Sequence, residues 1–306
     1  MYDIIVVGGG PAGMTAALYA LRNGKSALVI EKEGFGGQIT HSPKVENYPG
    51  YTSLSGNELA DHMMEQIMEQ GADIEISRVT GIEAEDGKWV VTTEDETSFE
   101  ALAVIIATGV KHRMLGLPGE LELVGEGISF CAVCDGDFYT GKEVIMVGGG
   151  NSALQEAILL SDKCAKVTIV QDLSFLTGEQ RLQDVLARRE NVSVITGQKV
   201  SAILTTAGGE FKGITVTDRE SGAEKELSAD GMFVAIGLIP ENEPFKNLAD
   251  LNSYGYFDSN EACTTRTPGI FVAGDCRSKQ IRQVTTACAD GAVAALAACR
   301  YINELQ

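Results

Sequence analysis

The feature that most constrains this chain is a pattern written into it twice: an apolar β-branched run, a glycine turn, a helical stretch and a second apolar run. In the first copy Tyr2–Val7 leads into Gly8-Gly9-Gly10-Pro11-Ala12-Gly13. Met14 to Arg22 has helical composition, Asn23-Gly24 stops it, and Ser26–Ile30 is the next strand, ending at Glu31. In the second copy Glu143–Val147 leads into Gly148-Gly149-Gly150-Asn151-Ser152-Ala153, a helix runs to about Leu160, and Lys166–Val170 is the strand. Each copy is a βαβ unit, which demands a parallel sheet covered by helices. Two copies in 306 residues, a length beyond one compact core, predict an α/β protein with two Rossmann-like three-layer nucleotide-binding domains.

Between and after the copies, Lys88–Thr93 and Ser98–Ala107 read as a small β layer feeding a strand that ends at Ala107-Thr108-Gly109. Gly231–Ile236 ends at Gly237, and Gly269–Ala273 ends at Gly274-Asp275. Pro118 and Pro240 lie just beyond the first two of these strand ends and read as domain crossings.

In the first motif, Gly8 permits the tight turn, Gly10 lets the backbone approach a pyrophosphate, and Gly13 lets helix and strand pack closely. The pyrophosphate sits on the helix N-terminus. Glu31 stands about twenty residues on, where a carboxylate accepts from ribose hydroxyls. The second motif, Gly148-x-Gly150-x-x-Ala153, tolerates alanine in its third place. There Gly148, Gly150, Asn151, Ser152 and Ala153 would hold a nicotinamide nucleotide, unless the turn is a retained fold element that binds none. Binding NADP requires cations for the 2′-phosphate. The stretch Val167 to Gln180 contains no Arg or Lys and offers Asp172 and Glu179 instead, so NADPH is disfavoured. Gln171 or Asp172 accepting from a 2′-hydroxyl would suit NADH.

The third site is Cys131-Ala132-Val133-Cys134-Asp135-Gly136. Two cysteines three apart supply an attacking and a resolving thiol for dithiol–disulfide exchange, a helix N-terminus beside them would make a thiol nucleophilic, and Asp135 could handle the protons. Half a zinc site is the competing reading, but neither a second pair nor a histidine lies at metal spacing, so no metal is expected. The remaining cysteines, Cys164, Cys263, Cys276, Cys288 and Cys299, lie in or beside apolar stretches and read as small buried hydrophobes.

No apolar run reaches the roughly eighteen residues that span a bilayer, and the apolar run at the N-terminus is too short for a signal peptide. The expectation is a cytoplasmic protein. A net charge of −19 argues against nucleic acid and anionic membranes as partners.

These residues resemble low-molecular-weight thioredoxin reductases along nearly the whole chain. The matching stretches are Gly8–Gly13, Gly36-Gly37-Gln38, Val45-Glu46-Asn47-Tyr48-Pro49-Gly50, Ala107-Thr108-Gly109, Cys131–Gly136 with Phe138-Tyr139, Gly148–Ala153, Ala235-Ile236-Gly237, and Gly274-Asp275 followed by Arg282-Gln283. The resemblance implies an FAD domain formed by residues 1–113 and 242–306. The second nucleotide-type domain, residues 114–241, is inserted into it and carries the cysteine pair. It implies FAD contacts from Gly8, Gly10, Pro11, Ala12 and Gly13, from Glu31, Lys32, Gly37, Gln38 and Asn47, and from Thr108 and Gly109. Gly274, Asp275, Arg282, Gln283 and Val284 complete that set. It implies that Cys134 faces the flavin, Cys131 attacks the partner disulfide, Asp135 manages protons, the inserted domain rotates, and the protein is a homodimer. One departure matters. The family's His-Arg-Arg-x-x-x-Arg signature for NADPH is replaced here by Gln171, Asp172, Leu173 and Thr177, so the chain is similar to members that take electrons from reduced ferredoxin.

The expected function is therefore an FAD-dependent disulfide oxidoreductase. It would pass electrons from NADH or reduced ferredoxin through Cys131/Cys134 to a thioredoxin-like protein. The charge of −19 is a mild objection to an acidic ferredoxin. Alternatives are a dithiol oxidase using FAD and oxygen, or a flavin-bearing redox sensor. A ferredoxin–NADP reductase would need no cysteine pair.

Overall fold

The computed structural model describes residues 1–42 and 45–305. The chain divides into two compact units, Met1–Lys111 with Ile239–Gln306, and His112–Leu238.

In the first unit the parallel strands run in the order Asp73–Ile76, Ala27–Glu31, Tyr2–Val7, Ser98–Ile106 and Ile270–Val272. The hairpin Val79–Glu85/Lys88–Thr93 extends the sheet antiparallel against the start of Ser98–Ile106. The inner strands Tyr2–Val7, Ala27–Glu31, the end of Ser98–Ile106 and Ile270–Val272 are buried on both faces, which explains their continuous Ile/Val/Ala character. Ile4, Val6 and Ile105 pack under the helices Pro11–Arg22 and Val284–Glu304, while Ile5, Leu28, Val104 and Phe257 form the core on the other face. The two helices are in close contact through small residues: a Cβ added at Gly291 would lie 2.1 Å from the Ala12 carbonyl oxygen. The helix expected from Met14 begins at Pro11, where proline's fixed φ suits the first helical position.

In the second unit five parallel strands run in the order Val192–Thr196, Lys166–Gln171, Glu143–Val147, Gly231–Val234 and Ile128–Ser129. The helix Asn151–Ser161 packs on one face through Ala153, Leu154, Ala157 and Leu160. A three-stranded antiparallel sheet, Gln198–Thr205, Phe211–Asp218 and Glu224–Ser228, contributes Val200, Ile214 and Val216 to the core on the other. The α/β class and its two Rossmann-like units agree with the duplicated sequence pattern. Among the described residues no helix is long and apolar enough to cross a membrane.

Candidate active site

The first glycine turn is held by contacts that exclude side chains. Gly8 has φ +113°, and a Cβ there would sit 2.4 Å from the Ala107 carbonyl oxygen. A Cβ at Gly13 would sit 1.8 Å from the carbonyl oxygen of Gly8. Gly10 precedes the helix, and no side chain caps the amides of the first turn, which leaves the N-terminus open to an anion. Glu31 is buried at the end of its strand; its Oε2 accepts from the Gly9 amide at 2.6 Å and its Oε1 from the Glu33 amide at 3.0 Å. Lys32 is ion-paired with Glu241.

The other predicted cofactor residues of this unit come from three separate segments. Gln38 lies in the short 3₁₀ helix Gly37–His41. Asn47 donates from Nδ2 to Gln283 Oε1 at 3.3 Å, which brings two distant segments together at the start of the last helix, where Val284 is the first residue. The hydroxyl of Thr108, next to Gly109, donates to Asn242 Oδ1 at 3.0 Å. Gly274 follows its strand with φ +79°, and a Cβ there would lie 2.7 Å from that of Ala12, so Asp275 is delivered beside the first glycine turn. Arg282 lies over the Tyr256 ring and donates to the Asp275 carbonyl at 3.4 Å.

Asp275 has a buried Oδ1 without a hydrogen-bond partner; Lys279 lies 3.6 Å from that atom as an ion-pair neighbour. Burial pushes the carboxyl up, and nearby Lys279 and Arg282 pull it down less strongly. A buried acceptor left open is costly unless something bonds it. Together with the side-chain-free glycine turn, it fits a dinucleotide: the helix start would hold an anionic pyrophosphate, and Asp275 would accept from a hydroxyl of the bound group.

Two supporting residues carried no signal in the sequence. Asn242 is fully buried and donates to the Gly255 and Cys276 carbonyls at 2.9 Å each. Asp290 accepts from the Gly274 amide at 3.1 Å and is ion-paired with Arg277 at 2.7 Å and Lys279 at 3.0 Å. Asn242 also accepts from Thr108, 134 residues away in sequence, whereas Asp290 reaches its turn from the next element along the chain.

In the second unit Gly148 repeats the geometry of Gly8, its added Cβ falling 2.4 Å from the Ala235 carbonyl oxygen, and Gly150 precedes the helix. Ala153 is fully buried and Ser152 exposed. The strand end is already engaged. Gln171 is buried, donates to the Phe175 carbonyl at 3.4 Å and accepts from the Asp172 amide at 3.1 Å. Asp172 is clamped in a bidentate pair by Arg219, a cation from the turn after Phe211–Asp218 that the local sequence does not reveal. Asn151 exchanges bonds with Glu179, accepting from its amide at 2.7 Å and donating to its carboxylate at 3.1 Å.

Cys131 and Cys134 form a disulfide with Cα atoms 5.3 Å apart. Cys131 is the N-cap of the short helix Ala132–Asp135, and its Sγ accepts from the Cys134 amide at 3.1 Å. The cap position places positive amide dipoles against a Cys131 thiolate. Ser129 joins the pair to Asp135: its Oγ accepts from the Cys131 amide at 3.1 Å and donates to Asp135 Oδ2 at 2.6 Å. Asp135 is buried, and its Oδ1 lacks a partner. Burial pushes its carboxyl up, against the smaller opposing effect of the Ser129 hydrogen bond. Of the other cysteines, Cys164, Cys263, Cys276 and Cys299 are buried as the sequence predicts. Cys288 is only half-buried, because its face of the last helix meets the Tyr48 hydroxyl at 3.9 Å rather than a closed core.

The chain matches the family model for pyridine nucleotide-disulphide oxidoreductases over residues 2–291. It is 41% identical over 307 aligned residues to a thioredoxin reductase of Bacillus subtilis, covering 100% of this chain and 96% of that one. It is 42% identical to a 34.2 kDa protein in the rubredoxin operon of Clostridium pasteurianum, covering 98% and 97%. Among solved structures, the thioredoxin reductase of Streptococcus pyogenes superposes with a TM-score of 0.93 at 38% identity, covering 99% of each chain.

Proposed function

The chain belongs to the pyridine nucleotide-disulphide oxidoreductase family, and we propose that its Cys131–Cys134 pair reduces the disulfide of a thioredoxin-like protein with electrons received through FAD. The observation that carries this reading is the disulfide at the cap of a four-residue helix, with a buried, half-partnered carboxyl joined to it through Ser129. When bound, FAD supplies a two-electron carrier between a donor and this disulfide.

The chain's own residues do the rest. Gly8, Gly10, Pro11, Ala12 and Gly13 shape the pyrophosphate seat, Glu31 holds its turn, and Gln38, Asn47, Thr108, Gly109, Asp275, Arg282 and Gln283 line the remainder. In the reduced pair the Cys131 thiolate attacks the partner disulfide, forming a mixed disulfide and expelling a partner thiolate that takes up a proton. Cys134 then attacks Cys131, restoring the intramolecular disulfide and releasing the second partner thiol. Asp135, held by Ser129, is the group that takes or returns the Cys134 proton.

The second unit bears on the choice of donor. Gln171 and Asp172, the two acceptors at the strand end, are both engaged, and Glu179 brings a carboxylate to the helix start. This arrangement favours reduced ferredoxin, a donor that needs no nucleotide seat there, over NADH, and disfavours NADPH most. Exposed Tyr19, Met68, Val293 and Leu296 on helices of the first unit offer an apolar face to a second copy, supporting a homodimer.

The test is anaerobic reduction of the purified flavoprotein by NADH, NADPH and reduced ferredoxin in turn, followed by addition of oxidised thioredoxin. Bleaching by ferredoxin alone, then recovery of colour with thioredoxin, is expected. Rapid bleaching by NADH would make the second unit a working nucleotide site. Recovery of colour by oxygen and a small dithiol's oxidation, without thioredoxin turnover, would make the protein a dithiol oxidase.

A further inference from the structure

Glu156 is the sole ionisable residue on the helix Asn151–Ser161. Its side chain is largely enclosed, because the redox helix Ala132–Asp135 packs over it. Its Oε2 is the acceptor for the Ala132 amide at 3.4 Å, one residue from Cys131. That amide belongs to the same free N-terminal set that would otherwise point at a Cys131 thiolate.

We propose that Glu156 is a positioning residue for the Cys131–Cys134 pair, whose carboxyl holds the start of the redox helix and whose charge sets how readily Cys131 becomes a thiolate. The inference rests on the disulfide reductase reading. It adds to Asp135 a second proton-bearing group, acting on the other thiol.

The surroundings leave Glu156 electrically isolated. On the redox helix and the 3₁₀ turn after it the ionisable groups are Cys131, Cys134, Asp135, Asp137 and Tyr139; Asp137 is paired with Lys163. On the helix Gln180–Leu186, Arg181 is paired with Glu179 and Asp184 is bonded to Gln180. On the strands beneath, Glu143 and Lys166 pair with each other. Burial, opposed only by the Ala132 amide, pushes the Glu156 carboxyl up to about 7. The group therefore changes charge in the range where thiol exchange operates. Below that range it is neutral and leaves the thiolate unopposed; above it, a carboxylate stands against the same helix start and raises the cost of a second negative charge. The two groups then titrate as a coupled pair, in two spread-out steps.

The test uses the full-length flavoprotein with Cys134→Ser, so that Cys131 is a free thiol, and follows iodoacetamide alkylation of the Cys131 peptide by mass spectrometry from pH 5 to 10. The expected result is a broad, two-step profile. Glu156→Gln, which keeps an acceptor for the Ala132 amide, should collapse it to one step and speed alkylation at pH 8 by roughly three- to tenfold. Glu156→Asp should keep two steps. An unchanged profile in Glu156→Gln, with melting temperature and flavin content preserved, would overturn the proposal. Alkylation does not depend on donor or partner. A thioredoxin assay that fails while the profile changes as expected would therefore count against the reductase reading and not against Glu156.

Discussion

At the scale of single residues, the site depends on atoms that are held where they are costly. Asp135 is buried with one oxygen unpartnered, and burial holds its carboxyl above the ordinary carboxylate range. A raised folded-state value means that the protonated form is favoured in the fold. The stability it brings is fully present below the unfolded carboxylate pKa and is lost as pH rises through the folded one. The same proton is available for thiol chemistry over that window. Asp135→Asn should slow reduction of a thioredoxin disulfide by about 10²-fold or more while leaving flavin content intact. An alkaline fall in rate is expected of the wild type as Asp135 loses its proton, and the variant should lack it in steady-state assays across pH. Equal rates in variant and wild type would remove Asp135 from the proton path. Gly13 makes a different demand. With its Cβ placed 1.8 Å from a backbone oxygen, Gly13→Ala must move the strand or the helix that frame the turn. The purified variant should have lost most of its flavin, read as the ratio of visible to ultraviolet absorbance. Full flavin occupancy would show that the turn has more room than its geometry allows.

At the scale of elements, the strands and helices were legible because glycine punctuation and apolar runs are local signals. Glu143–Val147 and Lys88–Thr93 fold over the residues the pattern marks. What was not legible arrives through long-range packing. Asn242 buttresses Thr108 from 134 residues away in sequence, Asp290 reaches back from the last helix to Gly274, and Glu156 is enclosed only because another element covers it. Arg219 is the most consequential case. The end of the strand Lys166–Gln171 has no cation between Val167 and Gln180, and the antiparallel sheet supplies one from its turn, which Asp172 then neutralises. Asp172→Ser should free that guanidinium for a 2′-phosphate. Binding of 2′,5′-ADP, followed by titration calorimetry, should strengthen by roughly tenfold, the value of one charge-assisted bidentate contact in a partly exposed site. Adding Arg219→Ala should reverse the gain. No gain in the single variant would show that the turn carrying Arg219 lies out of reach of the nucleotide.

At the scale of the whole molecule, the insertion divides the folding problem unequally. The second unit is one continuous stretch, and its central strands pair Val144 with Val167. The first unit must instead bring Ile270 beside Val104 and lay the last helix on the first, joining segments that the entire second unit separates. Loop closure on that scale is entropically slow, and folding rate falls as contacts become more distant in sequence. The proposed flavin seat inherits this, since Gly8–Gly13 comes from the first segment and Asp275 and Gln283 from the last. FAD would bind only after both have met, and would then stabilise the first unit alone by mass action. During refolding, amides of Glu143–Val147 and Lys166–Gln171 should therefore gain protection from exchange before those of Ser98–Ile106 and Ile270–Val272. Flavin uptake should coincide with the later phase. Pulse-labelled hydrogen exchange with and without added FAD separates the two sets. Simultaneous protection of all four strands would mean that the inserted unit and its host fold as one cooperative body, and that the distance between the two halves of the flavin seat does not limit their meeting.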